Sequence, residues 1–167
     1  MLSRGWSVVL LAGVLSACTG LSPAVPEGYA GPTAMLADTQ QTLGPRKANV
    51  FYVEAVNDRK VANSRAEVLR ANRGRTLYMP PPMKVRAVPA QSGRFTIAGQ
   101  AMYAPSLMDA TQVVQAVSGT VEFAPEAGRR YEVQGEFRDG YAAVWVEDAE
   151  SHRVVTPKIE RKEAAAH

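Results

Sequence analysis

Residues Arg129–Phe137 read RRYEVQGEF, and the stretch alternates. Tyr131, Val133 and Phe137 fall on one side; Arg130, Glu132, Gln134 and Glu136 fall on the other. Side chains two apart share a face of a strand, so the pattern predicts a half-buried β-strand. Just upstream, GTVEFAPEAG (119–128) alternates Val121 with Phe123 and then breaks at Pro125 and Gly128. This predicts a hairpin between two neighbouring strands. Downstream, Asp139 and Gly140 mark a turn, YAAVWVED (141–148) reads as a third strand, and HRVVTPKI (152–159) as a fourth. Four closely spaced strands with turn residues between them predict an antiparallel meander.

The front half follows the same rule less regularly. TAMLAD (33–38), NVFYVEAV (49–56), RKVANS (59–64) and RFTIAG (94–99) read as strands. One short helix is expected at SRAEVLRANRG (64–74), where Ser64 and Glu67 have capping-box spacing and Gly74 is placed to end it; a second is expected around APSLMDATQVVQA (104–116). The expected fold is therefore all-β, an antiparallel β-sandwich of about seven to eight strands with one or two short helices, over residues 33–160. VFYVEAVNDRKV (50–61) and AVWVEDAESHRV (143–154) align without a gap, pairing Glu54 with Glu147 and Val61 with Val154. A duplicated module and the alternation common to any two hairpins both account for this echo.

The chain begins MLSRGWSVVLLAGVLSACTG, with a positive start at Arg4, an apolar core from Trp6 to Leu15 and small residues after it. That layout is a secretory signal, and its uncharged run is shorter than the roughly 20 apolar residues of a membrane span. LSAC (15–18) resembles the lipobox of bacterial lipoproteins. The resemblance implies cleavage after residue 17 and a diacylglyceryl group on Cys18, the membrane-lipid partner of the chain. Cys18 is the single cysteine, so it has no internal disulfide partner. Thr19, in place of an aspartate, implies an outer-membrane address within the lipoprotein family. Residues 18–32, rich in proline and glycine, read as a flexible tether of roughly 20 Å. Residues 161–167 read as a charged, alanine-rich tail.

Removing residues 1–17 leaves about 150 residues, enough for one domain with a real core. The net charge of +3 is small, but its distribution is uneven. Between Arg59 and Arg94 nine cations face a single acid, Glu67. Arg70, Arg73, Arg75, Lys84 and Arg86 are the candidate anion-binding residues of this stretch, suited to headgroup phosphates, lipopolysaccharide or peptidoglycan carboxylates. A solvated basic loop is the plainer alternative. Nucleic acid is not expected as a partner in that compartment. The same stretch carries Pro80–Pro82 between Met79 and Met83, a stiff surface connection or an edge.

Catalytic reagents are scarce. The two histidines are His152, in a predicted turn, and His167, the last residue. With one cysteine, this gives no zinc spacing, and neither a GxSxG elbow nor a Walker or GxGxxG loop occurs. No metal, cofactor or catalytic residue is expected. A glycosidase needs only two carboxylates, so Glu54, Glu147 and Asp148 carry the competing enzyme reading. Glu147 and Asp148 are adjacent in a strand and point opposite ways. Trp145 and Tyr52 read as core aromatics.

The succession GPTAMLADT, ANVFYVEAVNDRKVANS, VRAVPA, GTVEFAPEAGRRYEVQGEF and AVWVEDAESHRVV resembles a group of uncharacterised proteobacterial lipoproteins. The resemblance covers most of the chain after Cys18. It implies an envelope β-domain facing the periplasm, a non-enzymatic binding or assembly module with an envelope protein, glycan or lipid as partner. It transfers no functional residue.

Overall fold

The structure, a computed structural model, describes residues 21–103 and 115–162. The elements in chain order are β1 (Thr33–Ala37), β2 (Thr39–Gly44), β3 (Lys47–Val56), β4 (Arg59–Lys60), α1 (Ser64–Ala71), β5 (Val85–Pro89), β6 (Gly93–Tyr103), β7 (Ala116–Phe123), β8 (Arg130–Arg138), β9 (Tyr141–Asp148) and β10 (Ile159–Lys162). The fold is an all-β sandwich. Among the described residues it has ten strands, more than the seven or eight expected, and one short helix. The first sheet runs β10-β9-β8-β1-β5; the second runs β2-β3-β6-β7, with β4 paired to the end of β3. Every ladder is antiparallel except that of β1 with β8.

Alternation places the core as expected. Tyr131 and Val133 of β8 are buried between the sheets and Phe137 packs against them, joined by Leu36, Phe51, Val53, Phe95, Ile97, Val144 and Val146. Phe51 stacks on Phe137 with ring centroids 5.6 Å apart, and Phe123 meets Tyr131 edge-on at 4.9 Å. Gly135 faces inward between them: a Cβ there would lie 2.4 Å from the Phe51 ring and from the Ala143 carbonyl oxygen.

The pairing of strands departs from the expectation in three places. β7 and β8 do not form a hairpin, because the connection after Phe123 carries the chain from the second sheet to the first. A proline turn ends a strand, but it does not oblige the next one to pair with it. The meander is therefore β8-β9-β10 alone. HRVVTPKI is not a continuous strand either: Val154 makes an isolated bridge to Glu147, and β10 starts only at Ile159 and runs into the expected tail. RKVANS shortens to the two residues of β4, reached through a turn in which Asn57 and Asp58 both have positive φ. That is the two-residue hairpin geometry matching the twist of the strands. The internal echo survives as geometry, since Val61 donates its N–H to the Glu54 carbonyl at 3.0 Å and Val154 bridges Glu147 in the opposite sheet.

Residues 21–32 are not a free tether. Ser22 donates its N–H to the Lys60 carbonyl at 2.9 Å, Arg59 bonds the Pro23 carbonyl at 2.6 Å, and Ala24 is buried in the core. Proline and glycine bar long ladders but not docking along a sheet edge. Cys18 and the signal-like segment lie in residues 1–20, and the second expected helix falls largely on residues 104–114; both lie outside the described residues.

Candidate functional site: a basic and apolar layer over the second sheet

The second sheet buries both faces. Ala48, Val50 and Tyr52 of β3, with Ala98 and Met102 of β6, form a second cluster outside the sandwich, closed by Val68 of α1 and by Tyr78 and Met83 of the proline-rich segment. Most of the basic stretch is the lid of this cluster. Tyr78 anchors it twice: its N–H bonds the Pro45 carbonyl at 2.7 Å, and its hydroxyl donates to Gln40 Oε1 at 2.7 Å. Burial pushes the Tyr78 phenol up to about 12, and Tyr52 rises to about 12 through burial first and the nearby Glu54 second.

The helix starts differently from its capping-box signature. Asn63 is the N-cap and makes no side-chain cap bond. Ser64 is the first helical residue; its N–H is bound by Asp38 Oδ2 at 2.8 Å and its hydroxyl accepts the Lys84 N–H at 2.8 Å. A buried carboxylate from another element thus takes the capping role. At the other end the Asn72 side chain bonds the Val68 carbonyl and both the N–H and the carbonyl of Met79, and Gly74 turns the chain with φ +71°.

The five candidate cations do not form one site. Arg86 is turned inward, where its guanidinium grips Asp38 in a bidentate pair and also bonds the Ala62 carbonyl. Arg70 and Lys84 share Glu67, the single acid of the stretch. Arg73 and Arg75 are exposed, and Arg75 bonds the Ala71 carbonyl with its Nε. Arg70, Arg73 and Arg75 therefore stay together on the surface, whereas Arg86 is structural. Sequence reading missed the apolar neighbours of these arginines: Leu43, Leu69, Leu77 and Met79 are between 46% and 54% exposed.

The three carboxylates of the enzyme reading are dispersed. Glu54 accepts a hydrogen bond from Ser118 and lines a groove of about 470 Å³ with Tyr52 and Glu160, the last not singled out in the sequence. Glu147, on β9 in the other sheet, accepts from the Trp145 indole and meets His152 Nδ1 at 3.3 Å. Asp148 faces the opposite way into a groove of about 500 Å³ that also holds Glu122, Glu126, Arg129 and Arg153. The backbone N–H of Ser151 leads in holding the Asp148 carboxyl below its ordinary range, helped by the Ser151 hydroxyl and Arg129. Trp145 is not a core residue: it is half-buried on the outside of the first sheet, with Lys158 Nζ 4.0 Å from its ring centroid. No helix among the described residues is long and apolar enough to cross a membrane.

No protein family, curated protein or solved structure matches this chain.

Proposed function

We propose that this chain is an outer-membrane lipoprotein, held by a diacylglyceryl group on Cys18 and facing the periplasm, whose β-sandwich serves as a non-enzymatic binding or assembly module of the envelope. The observation that carries the reading is LSAC at the end of a charged-then-apolar leader, followed at once by a segment built into the domain. More than one acyl chain suffices for stable anchoring, so Cys18 needs no membrane span beside it. The dispersal of Glu54, Glu147 and Asp148 over two grooves and an outer face, each tied into a local network, supports binding over glycan hydrolysis.

Intact mass spectrometry of the mature protein tests the anchor. The expected result is an acylated N-terminus at Cys18, with Cys18→Ser abolishing both acylation and membrane fractionation. A mature chain that starts elsewhere with a free thiol overturns the reading. In-cell crosslinking then separates the modes of action: a recurring protein adduct identifies an assembly role, and adducts only with lipid or glycan identify direct envelope binding.

A further inference from the structure

Leu43 leads into the β2–β3 turn, whose Pro45 carbonyl accepts the Tyr78 N–H, so Leu77 and Met79 lie beside that turn. The Asn72 side chain then ties Met79 to the last turn of α1, bringing Leu69 and its neighbours to the same layer. Three of the seven large apolar side chains most exposed among the described residues, Leu69, Leu77 and Met79, thus belong to one structural unit, with Leu43 at the adjoining strand end. Arg70, Arg73 and Arg75, with Arg46 from the β2–β3 turn, border them, and Glu67 is the nearby acid. Exposed apolar groups rimmed by one sign of charge mark an interaction surface.

We infer that this layer rests on an anionic phospholipid surface, as a second contact beside the acyl anchor; the inference builds on the lipoprotein reading. Charge complementarity selects an anionic occupant, and Leu and Met side chains among arginines match an interfacial apolar face with a basic rim. Chain length selects the membrane. Cys18 precedes Ser22 by four residues, a contour of at most about 14 Å. Ser22 is pinned beside β4 at the end of β3 opposite the β2–β3 turn, so the layer meets the bilayer with β3 and α1 lying along its surface. An anchored domain is therefore kept beside the bilayer, where even a patch that partitions weakly from solution is engaged by its high effective concentration.

The test uses the mature lipidated protein in vesicles of phosphatidylcholine with and without phosphatidylglycerol. With Cys18 acylated, a cysteine introduced by Met79→Cys is a unique thiol for a fluorophore, and Ser151→Cys provides a control in the exposed turn that follows β9 of the other sheet. Quenching by headgroup-labelled lipid should be several-fold stronger at position 79 than at 151 when phosphatidylglycerol is present. It should fall with salt and drop to the control level in the Arg70→Gln/Arg73→Gln/Arg75→Gln variant, in which loss of the exposed Glu67 pair and of the bond to the Ala71 carbonyl should lower the unfolding temperature by no more than a few degrees. Leu77→Ser should weaken it as well. Equal quenching at the two positions, or indifference to lipid charge, overturns the inference, as does a protein crosslink that occupies position 79 in cells. If mass spectrometry finds no acyl group, the anchor reading fails separately. The same vesicles still judge the patch, with partition expected to fall about fivefold per neutralised arginine.

Discussion

Arg86 and Asp38 make a bidentate ion pair, Nη1 to Oδ1 at 2.6 Å and Nη2 to Oδ2 at 2.7 Å, at the point where β1 leaves one sheet and β2 enters the other. The Asp38 carboxylate is fully buried and also accepts the N–H groups of Val53 and Ser64. One side chain thereby joins the sheet-switching corner, the second sheet, the start of α1 and β5. Arg86→Met should cost about 3–5 kcal/mol, because it strands a buried carboxylate. Urea unfolding measures it. Adding Asp38→Leu should not restore the wild-type value, since two backbone N–H groups then lose their acceptor.

Acid should weaken the fold through Asp148. Its carboxyl is lowered in the folded state, so its contribution is complete above the ordinary carboxylate value of about 4 and is lost as pH falls below that. Asp148→Asn should flatten the acid limb of the urea midpoint against pH. Ser151→Ala, which removes the hydroxyl but keeps the leading backbone bond, should flatten it less.

Alkali should act through the second cluster. The Tyr52 and Tyr78 phenols are raised to about 12, so the stability they confer is complete below the ordinary tyrosine value of about 10 and declines as pH rises from there toward 12. In a spectrophotometric titration both should ionise late and together with loss of near-ultraviolet circular dichroism. Tyr78→Phe should remove one late step and loosen the lid by about 1 kcal/mol through loss of its bond to Gln40.

Gly135→Ala should destabilise by about 1–3 kcal/mol or more, because the new methyl meets a backbone carbonyl that cannot turn aside. A guanidinium unfolding curve checks it. Gly128→Ala meets no atom within 4 Å, so its cost arises only from φ +74° and isolates backbone strain from overpacking.

Much of the local structure was legible. Period-two alternation found β1, β6, β7, β8 and β9 and named the inward residues Tyr131, Val133 and Phe137, and β3 was read from its apolar run, which is buried on both faces. β2 was hidden, because TQQTLG is polar and uses side chains to bond the first sheet: Thr39 donates to the Val133 carbonyl and Gln41 to that of Gly135. The candidate site was half legible. Charge density marked Arg70, Arg73 and Arg75, yet the same density included Arg86, whose acid stands 48 residues away in the chain.

Alternation is a property of neighbours along one strand, so the sequence by itself determined the regular strands β1, β6, β7, β8 and β9 and the inward face of β8. It also placed the turn at Asp139–Gly140, because a tight hairpin demands a residue that tolerates positive φ, as Gly140 does. Tertiary structure alone decided that β7 and β8 part company, that Asp38 caps α1 in place of a local side chain, and that residues 21–24 close a sheet edge. Each of these depends on burying a face or compensating a charge across large sequence separation, and no local pattern records which distant partner satisfies it.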